Sequence, residues 1–302
     1  MKLGLLTAAF PSLTLAQVAN WAHDNGFEAL EIAAWPAAGG EHRRYAGVAH
    51  IDVDDFDPRA VRDTLRRHHL EISALAYYPN NLDPDLAARE AANLHLRKVI
   101  EAARRLEVEV VGTFVGRDQQ RSVRDNLEDF KKVWPPIVRY ARERGVKVAI
   151  ENCPMIFSSD EWPGGRNLAY SPANWRQMFE IVPDDNFGLN IDPSHLVWQF
   201  IDYVRVVRDF APRIFHVHAK DMEVDRDGLY EHGVMSLGVG WQVPRLPGLG
   251  EVQWGRFISA LYGVGYDWVI SVEHEDRKFE GEVELVQRGF IIARNNLRPL
   301  IV

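Results

Sequence analysis

Four apolar runs in the second half of the chain end in side chains able to ligate a divalent metal. Lys-Val-Ala-Ile-Glu ends at Glu151, Phe-Gly-Leu-Asn-Ile-Asp at Asp192, Ile-Phe-His-Val-His at His218 and Trp-Val-Ile-Ser-Val-Glu at Glu273. The residue before each polar terminus is aliphatic (Ile150, Ile191, Val217, Val272), and two positions earlier stands another bulky apolar residue (Val148, Leu189, Phe215, Ile270). Side chains alternate faces along a strand. If the bulky set packs outward, all four polar termini point to the other face at one end. Three carboxylates gathered there repel one another unless a cation sits among them. Carboxylates with one imidazole suit Mn²⁺, Mg²⁺ or Co²⁺ better than a structural zinc, and Mn²⁺ is the first expectation. Taken singly, a strand-end Glu more often pairs with a lysine, and a strand His is usually a satisfied core residue. The same register on four runs is what carries the reading.

Two neighbours share these faces. Glu275 lies on the face of Glu273, and either could be the ligand; Glu273 is favoured because it completes the apolar run. His216 lies one layer below His218 and suits a supporting or substrate hydrogen bond better than ligation.

The elements that must position these groups are legible as short apolar runs alternating with amphipathic ones. Strands are expected at Leu3–Thr7, Ala29–Ile32, Ile72–Tyr77, Val108–Phe114, Lys147–Glu151, Phe187–Asp192, Ile214–His218 and Trp268–Glu273. Helices are expected at 15–25, 58–69, 84–106, 122–144, 172–182, 201–210, 253–263 and 282–297. Thr14 with Gln17 forms a capping box, and Gly26, Gly145 and Gly265 fall where helix C-caps are needed. Strand–helix alternation implies a parallel sheet covered by helices. The first strand–helix turn lacks Gly-x-Gly-x-x-Gly, which disfavours a doubly wound nucleotide-binding sheet. Residues 1–302 are therefore expected to form one α/β domain, a (β/α)8 TIM barrel. Its loops after strands 2 (Ala33 to Asp57) and 7 (Met222 to Gln253) are long and lie on the face where barrel enzymes place their chemistry.

Composition narrows the function classes. The chain has 302 residues, a net charge of −8 and one cysteine, Cys153. No intramolecular disulfide can form, and a reducing, cytoplasmic setting is expected. The N-terminal apolar run is short and broken by Pro11, so it reads as a strand rather than a signal peptide. No window approaches the ~18 apolar residues of a membrane span, and the acidic balance argues against a nucleic-acid partner. Association into homo- or hetero-oligomers is left open. Cys153 lacks a His-paired context and reads as buried structure.

The chain resembles the xylose-isomerase-like barrels, a group of sugar phosphate isomerases and epimerases whose neighbours include ketose 3-epimerases, inosose dehydratases and endonuclease IV. The likeness runs from Lys-Leu-Gly-Leu-Leu-Thr and Gly-Phe-Glu-Ala-Leu-Glu-Ile (26–32) to three stronger blocks: Asn-Ile-Asp-Pro-Ser-His-Leu-Val-Trp-Gln (190–199), His-Val-His-Ala-Lys-Asp (216–221) and Ser-Val-Glu-His-Glu-Asp (271–276). The resemblance implies metal ligation by Glu151, Asp192, His218 and Glu273, with Glu151 and Glu273 doubling as acid/base groups. It implies that His195 contacts substrate hydroxyls near the metal and that Lys220 and Asp221 face substrate. Trp198, Glu31, Tyr77 and Arg245 are expected on the pocket wall. Endonuclease IV uses many more histidines and a basic face, so a DNA-repair role does not fit. No phosphate-cradling glycine loop precedes a helix, so a phosphorylated substrate gains no support.

The resemblance implies an isomerase or epimerase acting on a small sugar or keto-sugar, by removal of a proton beside a carbonyl through a metal-stabilised enediolate. The alternative is a lyase of the same fold, acting by β-elimination on an oxidised sugar, cyclitol or 3-keto-glycoside. A non-catalytic carbohydrate-binding or partner subunit is the third reading, disfavoured by the complete ligand set.

Overall fold

A computed structural model describes residues 1–37, 47–155, 165–234 and 240–302. Eight parallel strands close into a barrel: β1 (Lys2–Leu6), β2 (Ala29–Ala33), β3 (Glu71–Ala76), β4 (Val110–Thr113), β5 (Lys147–Glu151), β6 (Phe187–Ile191), β7 (Ile214–Ala219) and, closing onto β1, β10 (Val269–Val272). Strands β8 (Asp221–Val224) and β9 (Gln242–Arg245) form a separate antiparallel hairpin in the long connection after β7. The helices are α1 (Leu15–Asp24), α2 (Pro58–Arg67), α3 (Leu86–Leu106), α4 (Val123–Arg142), α5 (Pro172–Ile181), the short α6 (Ser194–Val197), α7 (Tyr203–Phe210), α8 (Arg226–His232), α9 (Trp254–Gly263) and α10 (Val283–Leu297). No helix among the described residues is long and apolar enough to cross a membrane.

Local chemistry sets the element ends. The Thr14 side chain accepts from Gln17 N, and Gln17 Oε1 accepts from Thr14 N at 2.8 Å, which starts α1 with two otherwise orphaned donors satisfied. Gly26, Gly145 and Gly265 take φ of +75°, +69° and +77°, the left-handed conformation that turns a helix C-terminus toward the next strand.

The core is the shell between barrel and helices, where Leu189, Ile150, Val217 and Val272 meet Trp134, Trp175, Phe257 and Phe290. The outward parity expected for the strand residues holds for these. It fails at Phe215. A register shift between Leu189 and Asn190 pairs Leu189 with Ile214 but Asn190 with His216, leaving Phe215 unpaired. The ring turns into the barrel, packing with Ala74, Val110 and Ala149 and occupying the space that a Cβ on Gly188 would need. A second shift, between Leu30 and Glu31, pairs Glu31 with Ala74. Both irregularities lie beside side chains used by the site. Of the two long loops, residues 38–46 after β2 and 235–239 after β7 lie outside the described residues.

Candidate metal centre and active site

The carboxyl-terminal ends of β5, β6, β7 and β10 bring Glu151, Asp192, His218 and Glu273 to one buried spot. His218 Nδ1 lies 3.2 Å from Glu273 Oε2 and 3.6 Å from Glu151 Oε1. His195, on α6, places Nε2 at 3.3 Å from Asp192 Oδ2 and 3.8 Å from Glu151 Oε1. Glu151 Oε1, His195 Nε2 and His218 Nδ1 are buried and have no hydrogen-bond partner, while Asp192 Oδ2 beside them is ion-paired with Lys220 Nζ at 3.1 Å. An unsatisfied buried polar atom costs about 1–3 kcal/mol, so three aimed at one place call for a bound group. Two ligand sets, Glu151–His218–Glu273 and Glu151–Asp192–His195, each have ligand atoms within 4.8 Å of one another. The donor set fits a divalent cation.

The backbone around these ligands is held tightly. Asp192 donates its N–H to Asn152 Oδ1 at 2.7 Å and accepts Asn152 Nδ2 on its carbonyl at 2.9 Å, which ties the ends of β5 and β6 together. Asn167 Nδ2 donates to the carbonyls of Glu151 and Cys153. Asp192 Oδ1 accepts the N–H of Ser194 at 2.9 Å, so only Oδ2 faces the centre. In Asp-Pro-Ser-His the aspartate thus anchors the turn with one oxygen, and the turn delivers His195 over the other.

Lys220 follows β7 and is fully buried among carboxylates: its Nζ lies 2.7 Å from Glu273 Oε2, 3.0 Å from Glu275 Oε2 and 3.1 Å from Asp192 Oδ2. Burial alone would lower the ammonium, but Glu273, Glu275, Asp192 and Glu151 outweigh it and hold it well above the usual lysine value. The two glutamates are driven apart. Burial and the neighbouring Glu273 charge push Glu151 up to about 8. Burial would raise Glu273 too, but Lys220 and His218 hold it well below the carboxylate range. Burial lowers His195 well below the ordinary histidine value, so its imidazole is neutral.

The other residues expected near the site take different places. Glu31 is not on an open wall: it is fully buried behind His218, with Oε2 at 2.8 Å from His218 Nε2. Tyr78, rather than Tyr77, reaches the barrel interior, and its hydroxyl donates to Glu31 Oε1 at 2.6 Å. Tyr77 packs edge-on against His95 and Trp35. His216 lies below His218, 3.2 Å from Asn190 Oδ1 and 3.1 Å from Ser73 Oγ. Asp221 does not present its carboxylate to the centre: Oδ1 accepts from Met222 N and Val252 N, and Oδ2 from Gly248 N and Trp254 Nε1, all at 2.9 Å. It anchors the β8–β9 connection. Trp198 packs with Met222, Val224 and Trp241 under that hairpin. Arg245 lies 3.4 Å from Asp276 and 3.5 Å from Glu223. Asn152 and Tyr78 were not legible as site residues, since neither ends a strand or carries a ligand chemistry.

The barrel itself has counterparts among known proteins. Residues 19–294 match the family described as xylose isomerase-like TIM barrel. An uncharacterized protein of Bacillus subtilis, YfiH, is 26% identical over 314 residues, covering 91% of this chain and 93% of its own. A D-psicose 3-epimerase from Clostridium cellulolyticum, solved with D-tagatose, superposes with a TM-score of 0.72 at 15% identity, over 100% of this chain and 99% of that one. The IolI protein, solved with a bound zinc atom, superposes with a TM-score of 0.71 at 18% identity, again over 100% and 99%. With its barrel matched over residues 19–294, this chain belongs to the xylose isomerase-like TIM barrel family.

Proposed function

We propose that this protein is a divalent-metal-dependent isomerase or epimerase of a small keto-sugar, working by proton transfer at a carbon beside the carbonyl. The convergence of Glu151, Asp192, His218 and Glu273 on one buried spot, with Glu151 Oε1 and His218 Nδ1 lacking hydrogen-bond partners, carries this reading. Glu151, Asp192, His218 and Glu273 would hold the ion, and Mn²⁺ fits this oxygen-rich set. When bound, the ion supplies Lewis-acid stabilisation of negative charge on a carbonyl oxygen. The D-psicose 3-epimerase neighbour supports a sugar substrate, and the zinc in IolI supports a metal in this fold.

The protein's own groups divide the remaining work. Glu151 and Glu273 come from the ends of different strands, and one would remove the proton while the other, or water, would return it. Neutral His195 would hold a substrate hydroxyl beside the ion. Return of the proton to the opposite face gives an epimer, and return to the neighbouring carbon interconverts ketose and aldose. A single unpaired cysteine suits a cytoplasmic setting.

The test is proton NMR in D₂O. Metal-loaded protein is incubated with free ketoses, inososes and 3-keto-glycosides, then quenched with chelator. Deuterium beside an intact carbonyl skeleton supports the proposal and names the substrate class. An unsaturated ketone or a released aglycone assigns the protein to the lyases instead. Absence of exchange with every metal and substrate overturns both.

A further inference from the structure

The hydrogen bonds beneath the ligand cluster form one connected chain. The Tyr78 hydroxyl donates to Glu31 Oε1 at 2.6 Å. The Tyr78 oxygen must then accept from Asn190 Nδ2, 3.0 Å away. Asn190 Oδ1 in turn accepts from His216 Nδ1, and His216 Nε2 accepts from Ser73 Oγ. At the other end, Glu31 Oε2 stands 2.8 Å from His218 Nε2, and with Oε1 already accepting from Tyr78 this oxygen is the acceptor that faces the ring N–H.

We infer that Glu31 and Tyr78 are positioning residues that keep the proton of His218 on Nε2, leaving the Nδ1 lone pair for the metal. This rests on the proposed role of His218 as a ligand. It explains why Nδ1, not Nε2, is the unpartnered nitrogen facing Glu151 and Glu273. The fold makes room for the pair: Gly112 on β4 is needed because a Cβ there would collide with the Tyr78 phenol, and the register shift before Glu31 lies at its base. A glutamine at position 31 would be nearly isosteric yet wrong. The Tyr78 proton still needs an acceptor, so the amide oxygen would turn to Tyr78 and the amide nitrogen to His218. His218 Nε2 would then have to accept, moving its proton to Nδ1, the ligating atom.

The experiment titrates metal-free parent, Glu31→Gln, Tyr78→Phe and the double variant with Zn²⁺ by calorimetry, and records ¹⁵N-histidine spectra of the zinc-loaded parent. Glu31→Gln is expected to bind zinc about 10- to 100-fold more weakly. The double variant should regain much of that loss, because without the tyrosine hydroxyl the amide is free to turn its oxygen to His218. In the parent, His218 should carry its proton on Nε2 and zinc on Nδ1. Zinc affinity of Glu31→Gln within about threefold of the parent, or no recovery in the double variant, overturns the inference. If Glu31→Gln does not fold, the parent spectrum decides alone, and zinc on His218 Nε2 overturns it. A parent that binds no divalent ion overturns the metal reading and this inference together, whereas normal parental binding with an unaffected Glu31→Gln removes only the inference.

Discussion

Lys220 Nζ stands 2.7 Å from Glu273 Oε2 with the lysine 1% exposed, so one cation from the chain itself sits inside the cluster of carboxylates that would hold a metal. The ammonium also reaches Glu275 and Asp192, and its charge offsets the repulsion among these neighbouring carboxylates. Glu275 therefore joins Glu273 as a partner of Lys220.

Replacing this lysine leaves the carboxylates without their internal cation. Lys220→Met is expected to destabilise the metal-free protein by about 3–5 kcal/mol, the usual consequence of removing one member of a buried ionic group. Saturating divalent ion should recover part of the loss. Urea melts with and without metal check this, and a loss of under about 1 kcal/mol would show that the ammonium is not needed there.

Chelator is expected to lower the melting temperature and abolish activity, with Mn²⁺ or Co²⁺ restoring both, because a ligand bound only by the folded state stabilises it by mass action. Asp192→Asn should weaken metal affinity, since Oδ2 faces the centre while Oδ1 is occupied by Ser194 N. His195→Ala should keep most metal affinity and lose turnover. Equal metal loss in the two variants would make His195 a ligand rather than a substrate contact.

Asp221 anchors the connection that carries the β8–β9 hairpin through four N–H donors. In Asp221→Asn the amide nitrogen confronts two of those donors. Stability should fall by roughly 2–4 kcal/mol, read by urea denaturation, with faster proteolysis between β8 and α9. If the sequence-level expectation of a substrate contact were right, KM would rise with no change in either measurement.

Acid sensitivity has an identifiable contributor outside the ligand cluster. His95 on α3 is lowered by burial, which outweighs its hydrogen bond to the Ala34 carbonyl at 2.8 Å. Between that lowered value and the ordinary one, the unfolded chain binds a proton that the folded chain does not, so stability rises with pH in that window and is lost on acidification through it. His95→Gln should have a shallower pH dependence of unfolding free energy between about pH 5 and 7, by at most about 1.4 kcal/mol per pH unit. Parallel slopes in parent and variant would rule His95 out as a contributor.

Most of the fold was legible because a (β/α)8 barrel repeats one signal: a short apolar run, a turn, an amphipathic run and a glycine cap. The expected strands and helices coincide with those observed to within a few residues at their ends. The placement of Glu151, Asp192, His218 and Glu273 was equally legible, since side-chain parity on adjacent parallel strands is a local property that closure carries into space. Two local irregularities were not. The extra residue that pairs Asn190 with His216 turns Phe215 inward, and nothing in Ile-Phe-His-Val-His marks it, because a strand covered on both faces accepts an aromatic ring on either. The β8–β9 hairpin was read only as a long loop, its proline and mixed polar residues concealing the alternation.

The sequence by itself determined the architecture, the side-chain types at the strand ends and the end of the barrel where they gather, because these follow from periodicity and from the chemistry of each side chain. The tertiary structure alone decided what each polar group faces. Glu31 meets His218 across 187 residues of chain, Tyr78 instead of Tyr77 enters the barrel, Lys220 lies among three carboxylates, and Asp221 turns away to hold a loop. Such assignments depend on strand register and barrel closure, which set distances of a few ångströms between residues far apart in sequence. At that scale a carboxylate pairs with an ammonium, as Glu273 does with Lys220, meets an imidazole, as Glu31 does, or anchors a loop, as Asp221 does.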